Sequence, residues 1–133
     1  MQVQTLEIPE IVDERGSLCF LEGLKHIPFE VKRVFWTTKV PEGKDRGGHA
    51  HQTNAEVVFA INGSVKIKTD DGKEQLEFIL DKPNVGLVIP PNVWADLTDF
   101  KEDTVLVVMA SEEYSKIGYI HNYQEFKQMY GRD

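Results

Sequence analysis

The chain has 133 residues, 41% of them hydrophobic, and a formal charge of −7. That length fits one domain spanning residues 1–133, able to hide about two-thirds of its unfolded surface, and an acidic chain without a basic cluster argues against nucleic acid or anionic membrane as a partner. No apolar run reaches the ~18 residues of a transmembrane helix, the N-terminus has no signal-peptide pattern, and the single cysteine, Cys19, rules out an intrachain disulfide, so a reducing cytoplasm is the expected compartment.

In chain order the sequence reads as short strands punctuated by turns, the pattern of a β-sandwich or barrel. Residues 3–8 alternate, and Pro9-Glu10 separates them from the next strands as a plausible crossing point. Asp13-Glu14-Arg15-Gly16 is a turn leading into a strand over 17–21, where the apolar Leu18-Cys19-Phe20-Leu21 predicts a buried core cysteine. A long β-branched and aromatic strand covers 31–40. Pro41 to Lys44 is a loop, and Gly47-Gly48 lets the backbone bend into a strand carrying His49 and His51. Strands over 55–61 and 64–69 flank Asn62-Gly63, a two-residue hairpin signal. Turns at 70–73, 83–84, 90–92 and 99–103 introduce strands over 74–80, 86–89, 93–97 and 104–110. Only the tail is helical: Asn122 and Glu125 form a capping-box arrangement. Tyr123, Phe126 and Tyr130 then share one face of a helix over 123–130. That face is expected to close one end of the barrel, with a dimer contact as the alternative.

His49 and His51 are the centre of the chemistry. Residues i and i+2 of a strand point to one face, about 6.5–7 Å apart, so both imidazoles project into one cavity, able to hold a metal or to move protons. A purely structural role is weaker, because two histidines on one face cost desolvation and repel when both are protonated. Gly43, His49, His51, Glu56 and Gly63 stand at the spacing of the first cupin motif, which this passage resembles. Metal-binding cupins add a third histidine from a second motif, roughly P-x-G-x-x-H. Here that motif falls on Pro90-Pro91-Asn92-Val93-Trp94-Ala95, so Ala95 stands where the third histidine would be, and Asp96 points to the opposite face. His49, His51 and Glu56 remain, a set able to hold iron or zinc with open positions. Strand parity turns Glu56 away unless the chain bends near Asn54. The expectation is therefore a site without a functional metal. Arg46, beside the histidine strand, and Arg33, on the strand over 31–40, are candidate anion handles; surface salt bridges are the alternative. His26 reads as a loop residue and His121 as a surface residue near the helix start.

Over nearly its whole length the chain resembles the sugar-nucleotide 3,4-ketoisomerases, small cupins acting on dTDP-4-keto-6-deoxyglucose. The resemblance lies in Arg46-Gly47-Gly48-His49-Ala50-His51 and in Tyr119-Ile120-His121-Asn122-Tyr123-Gln124-Glu125-Phe126. It also shows in Ile27-Pro28-Phe29, Lys32-Arg33-Val34, Asp71-Gly72-Lys73, Asn84-Val85-Gly86-Leu87 and Val93-Trp94. It implies an all-β cupin jelly-roll barrel of two antiparallel sheets with a short C-terminal helix. It implies an isomerase that moves a ketone between carbons 4 and 3 through an enediol, by proton transfer with no metal, nicotinamide or other cofactor, serving deoxyamino-sugar biosynthesis for surface polysaccharide. His49 as carbon base, His51 as proton shuttle, Arg46 on the enediolate or diphosphate, and a homodimer exchanging N-terminal strands are implied by the same resemblance. Three departures from the family pattern stand out: Ala95, where some relatives have histidine; Phe35 and Trp36, near which tyrosines are usual; and Gln52, often lysine. They bear on stereochemistry and substrate detail more than on reaction class. The competing readings are a metal-dependent cupin enzyme, a sugar-nucleotide 3,5-epimerase and a non-catalytic sugar-binding cupin.

Overall fold

The computed structural model describes residues 1–131. They form β1 (Gln4–Glu7), β2 (Glu10–Asp13), β3 (Gly16–Cys19), β4 (Arg33–Thr37), β5 (Arg46–His51), β6 (Glu56–Asn62), β7 (Val65–Asp70), β8 (Gln75–Leu80), β9 (Val85–Ile89), β10 (Trp94–Thr98), β11 (Val105–Ala110), β12 (Tyr119–Ile120) and α1 (Tyr123–Tyr130). Two five-stranded sheets, β1-β9-β6-β11-β4 and β12-β5-β10-β7-β8, face each other, and β2-β3 is a separate hairpin. The pairings are antiparallel. This is the expected jelly-roll barrel with one short C-terminal helix.

The strands face as period two demands. Val58 and Ala60 of β6, Val65 and Ile67 of β7, and Leu106 and Val108 of β11 fill the space between the sheets. The run Val57-Val58-Phe59-Ala60 is apolar throughout because both faces of β6 are covered. On the outer side Val57 and Phe59 pack with Val88 and Met109 under Ile27 and Phe29, from the connection between β3 and β4. The second sheet has its own outer cluster, in which Phe126 of α1 covers Ala50, Trp94 and Ile120. The Asn122 side chain accepts from the Glu125 amide at 3.0 Å, and the Tyr123 hydroxyl donates to Asp70. The helix therefore lies on the outer face of the second sheet, not over an end of the barrel.

Several sequence expectations are corrected. Asn62-Gly63 does not make a hairpin: β6 pairs with β9 and β11, whereas β7 pairs with β8 and β10. Gly63, at φ +77°, instead turns the chain from one sheet to the other, and a Cβ there would sit 2.3 Å from the Thr104 hydroxyl oxygen. Glu10, expected in a crossing segment, begins β2. Cys19 is only partly buried, because the β2-β3 hairpin stands outside both sheets and leaves Leu18 58% and Phe20 40% exposed. The strand expected over 31–40 is ordered as β only at Arg33–Thr37, and Lys39 has turned to φ 60°. No helix among the described residues is long and apolar enough to cross a membrane.

Candidate active site

The histidine strand owes its aim to the two glycines before it. Gly47 and Gly48 hold φ of +80° and +73°, the left-handed region that glycine enters freely. The pairing between β5 and β10 slips there, with Ala95 opposite His49 but Asp96 opposite Gly47. This bulge re-aims the strand. A Cβ on Gly47 would lie 2.7 Å from the Ala95 carbonyl oxygen, so the close approach also requires glycine.

Beyond the bulge His49 and His51 both face the barrel interior, with ring centroids 4.9 Å apart and planes at 88°. They line a cavity of about 220 Å³ with Arg33, Arg46, Glu56 and Tyr119. Both arginines predicted as anion handles are therefore at the site. Arg46 is exposed at the start of β5. Arg33 is half-buried in β4, its guanidinium carbon 5.1 Å from the Phe35 ring centroid. Phe35 also lines the cavity, while Trp36, at 68% exposure, points outward.

Glu56 reaches the site against strand parity. The chain bends after His51 and crosses to the other sheet before β6 begins. Asn54 fixes the bend, its side-chain oxygen accepting from the Glu112 amide at 3.1 Å. The Glu56 carboxylate then stands 3.5 Å from His51 Nε2. Donor atoms of His49, His51 and Glu56 lie within 4.8 Å of one another. Where a fourth donor would complete a cupin metal set, the Ala95 methyl lines the cavity. Asp96 is on the other face, accepting from Trp94 Nε1 at 3.1 Å. Asn92 holds the glycine position of the second motif at φ 63°, and its amide donates to the His51 carbonyl at 2.6 Å.

Desolvation dominates the electrostatics of His49. Burial holds the His49 imidazole below its ordinary pKa, and His51 adds to this; Glu56 opposes it, and His121 acts weakly in the same direction as His51. His51 is 7% exposed. Its Nε2 and Arg33 Nε are the buried side-chain nitrogens without a hydrogen-bond partner among the described residues. Both belong to residues lining the same cavity. Buried polar atoms are nearly always paired, so this pocket is shaped for a polar ligand. A larger groove, about 430 Å³, runs along the outer face of the second sheet. Along it the Tyr123 hydroxyl donates to Asp70, tying α1 to the sheet, and Trp94 Nε1 donates to Asp96.

Sequence reasoning missed two residues of the site. The Tyr119 ring lies 4.4 Å from His51 and 5.3 Å from His49. His121 is exposed, as expected, yet it stacks on Tyr119 at 5.2 Å and stands 6.1 Å from His49. The signal was available: Tyr119 and His121 have the i, i+2 spacing of the histidine pair. His26 is remote, its Nδ1 accepting from the Glu22 amide at 2.8 Å in a loop.

Fold and site together define a cupin barrel with a histidine pair and two arginines lining one pocket. The family model described as "FdtA: WxcM-like, C-terminal" matches residues 1–131, and the chain belongs to that family. A TDP-4-oxo-6-deoxy-alpha-D-glucose-3,4-oxoisomerase from Aneurinibacillus thermoaerophilus is 39% identical over 127 residues, 96% of this chain and 91% of that protein. A mutant of the 3,4-ketoisomerase QdtA from Thermoanaerobacterium thermosaccharolyticum, solved with TDP-4-keto-6-deoxyglucose, superposes with a TM-score of 0.93 at 39% identity, over 96% of this chain and 93% of that one. The TDP-quinovose 3,4-ketoisomerase WlaRB from Campylobacter jejuni gives 0.90 at 37% identity, over 95% and 97%.

Proposed function

We infer that the chain is a sugar-nucleotide 3,4-ketoisomerase of deoxysugar biosynthesis that converts TDP-4-keto-6-deoxyglucose into the 3-keto sugar. The family and its relatives fix the reaction class. The observation that carries the site assignment is the pair of unpartnered buried nitrogens, on His51 and Arg33, at one cavity.

His49 is the carbon base. A base must be neutral, and burial beside His51 keeps His49 neutral to lower pH than usual. It takes the proton from carbon 3 while the C–H electrons form the carbon 3–carbon 4 double bond and the carbon 4 carbonyl becomes an enediolate oxygen. That oxygen takes a proton back from His49. His51 removes the carbon 3 hydroxyl proton and delivers it to carbon 4, leaving the carbonyl at carbon 3. The Glu56 carboxylate at 3.5 Å offsets the positive charge on His51 while it carries that proton. Arg33 and Arg46 hold the diphosphate or the enediolate oxygen, for which a guanidinium fork is well shaped. Arg46→Ala is expected to raise KM or slow enediolate formation, and in the first case added salt narrows its difference from wild type. An Arg46→Ala enzyme with unchanged kinetics would remove that residue from the site.

The test of the reading is proton NMR of TDP-4-keto-6-deoxyglucose incubated with the protein in deuterium oxide. The expected result is a carbonyl at carbon 3 with deuterium at carbon 4, whose configuration also reveals the product. Substrate recovered unchanged would refute the assignment. The working form is a homodimer exchanging N-terminal strands. Supporting an association between copies, β1 lies at the edge of its sheet, and the β2-β3 hairpin leaves Ile11 and Val12 55% and 69% exposed.

A further inference from the structure

We propose that His121 is the port through which His49 exchanges its proton with solvent. This inference rests on the ketoisomerase reading and extends it to a residue outside the histidine motif. His49 is half-buried at the cavity and His51 is buried behind it. A proton taken from carbon 3 onto His49 has two routes: onto the substrate oxygen or out to water. His121 offers the second. It is exposed, its ring centroid is 6.1 Å from that of His49, and the planes meet at 62°. One water bridging the two rings would complete a relay of the kind that acid–base catalysis uses.

The placement of His121 is built in by the fold. Strand β12 pairs with β5, Tyr119 opposite His51 and Ile120 opposite Ala50. Ile120 is 3% exposed and lies with Ala50 and Trp94 under Phe126. That anchor sends Tyr119 to the cavity side, where it touches both imidazoles. His121 then stacks on Tyr119 with ring planes 2° apart. A surface histidine with no role would have no need of a parallel stack on a cavity wall beside a catalytic imidazole. The step balances: protonated His49 passes a proton through the water to neutral His121, which releases one to bulk, and the reverse path returns a solvent proton to His49. Because His121 acts through His49 and does not touch the reacting carbons, it is a positioning residue for the proton, not a catalytic one.

The test compares two rates in deuterium oxide at low conversion: deuterium entering carbon 3 of recovered TDP-4-keto-6-deoxyglucose, and product formed. Their ratio reports how often His49 exchanges before the enediol moves on. In His121→Phe, which keeps the aromatic stack and removes the nitrogens, the ratio should fall at least about tenfold, less than the ~10²–10⁴-fold of a direct acid or base. Imidazole added to His121→Gly should restore the ratio, which packing alone would not do. An unchanged ratio in His121→Phe would overturn the port, as would failure of imidazole to raise the ratio in His121→Gly. Wild-type protein that neither isomerises nor exchanges at carbon 3 would instead refute the ketoisomerase reading itself.

Discussion

Replacing each histidine of the pair separates the two roles. His51→Gln keeps a donor beside the Glu56 carboxylate, which stands 3.5 Å from His51 Nε2, so no buried charge loses its only neighbour and the fold should hold. His49→Asn removes a half-buried ring that lies among the rings of His51, Tyr119 and His121 and is not a large apolar core side chain. Each change removes a positioned acid or base, a loss of ~10²–10⁴-fold, which at ~1.36 kcal/mol per decade is about 2.7–5.4 kcal/mol of transition-state stabilisation. The losses should differ in kind. Proton NMR in deuterium oxide should find that His49→Asn abolishes both product and carbon 3 exchange. His51→Gln should still wash the carbon 3 proton into solvent while forming little product. Thermal melts of both variants guard against misfolding. A double variant that turns over within tenfold of wild type would refute both roles, since the described residues bring no other histidine pair this close.

Chelation should leave activity intact, because the cavity presents Ala95 where a fourth donor would stand; loss restored by one divalent ion would reverse this. The rising limb of kcat/KM with pH should have its midpoint below the ordinary ~6.5 of histidine, since His49 must lose its proton and its pKa is lowered, chiefly by burial. Glu56→Gln removes an influence that raises that pKa, so the limb should move to lower pH; a pH–rate profile moving upward would contradict the assignment. Phe126→Ala should cost about 3–5 kcal/mol in denaturant unfolding, because Phe126 is fully buried over Ala50 and Ile120; a loss below ~1 kcal/mol would mean that α1 does not hold the sheet. Sedimentation at micromolar concentration should give a species of twice the chain mass, and a monomer as sole form would rule out the dimer.

Local rules were enough wherever one element decides the outcome. The helix Tyr123–Tyr130 forms where the Asn122 side chain accepts from the Glu125 amide and Tyr123, Phe126 and Tyr130 share one face, and all of that lies within a few residues. His49 and His51 share a face because strand parity fixes it; Ala95 and Asp96 part for the same reason. What the tertiary structure decided was which strands become neighbours. Asn62-Gly63 has the chemistry of a hairpin, yet β6 and β7 join opposite sheets because β9 and β11 claim one and β8 and β10 the other. Glu56 joins the histidines only because the chain changes sheets at Asn54, so that two strands of opposite layers face one interior. Cys19 lost its expected burial when its hairpin found no sheet to join. Tyr119 and His121 came to the site because β12 adds to the edge of β5 under the cover of Phe126. Sequence patterns encode which way a side chain faces along its own strand; the partner across the barrel is set by long-range packing, whose loop-closure entropy leaves no local mark.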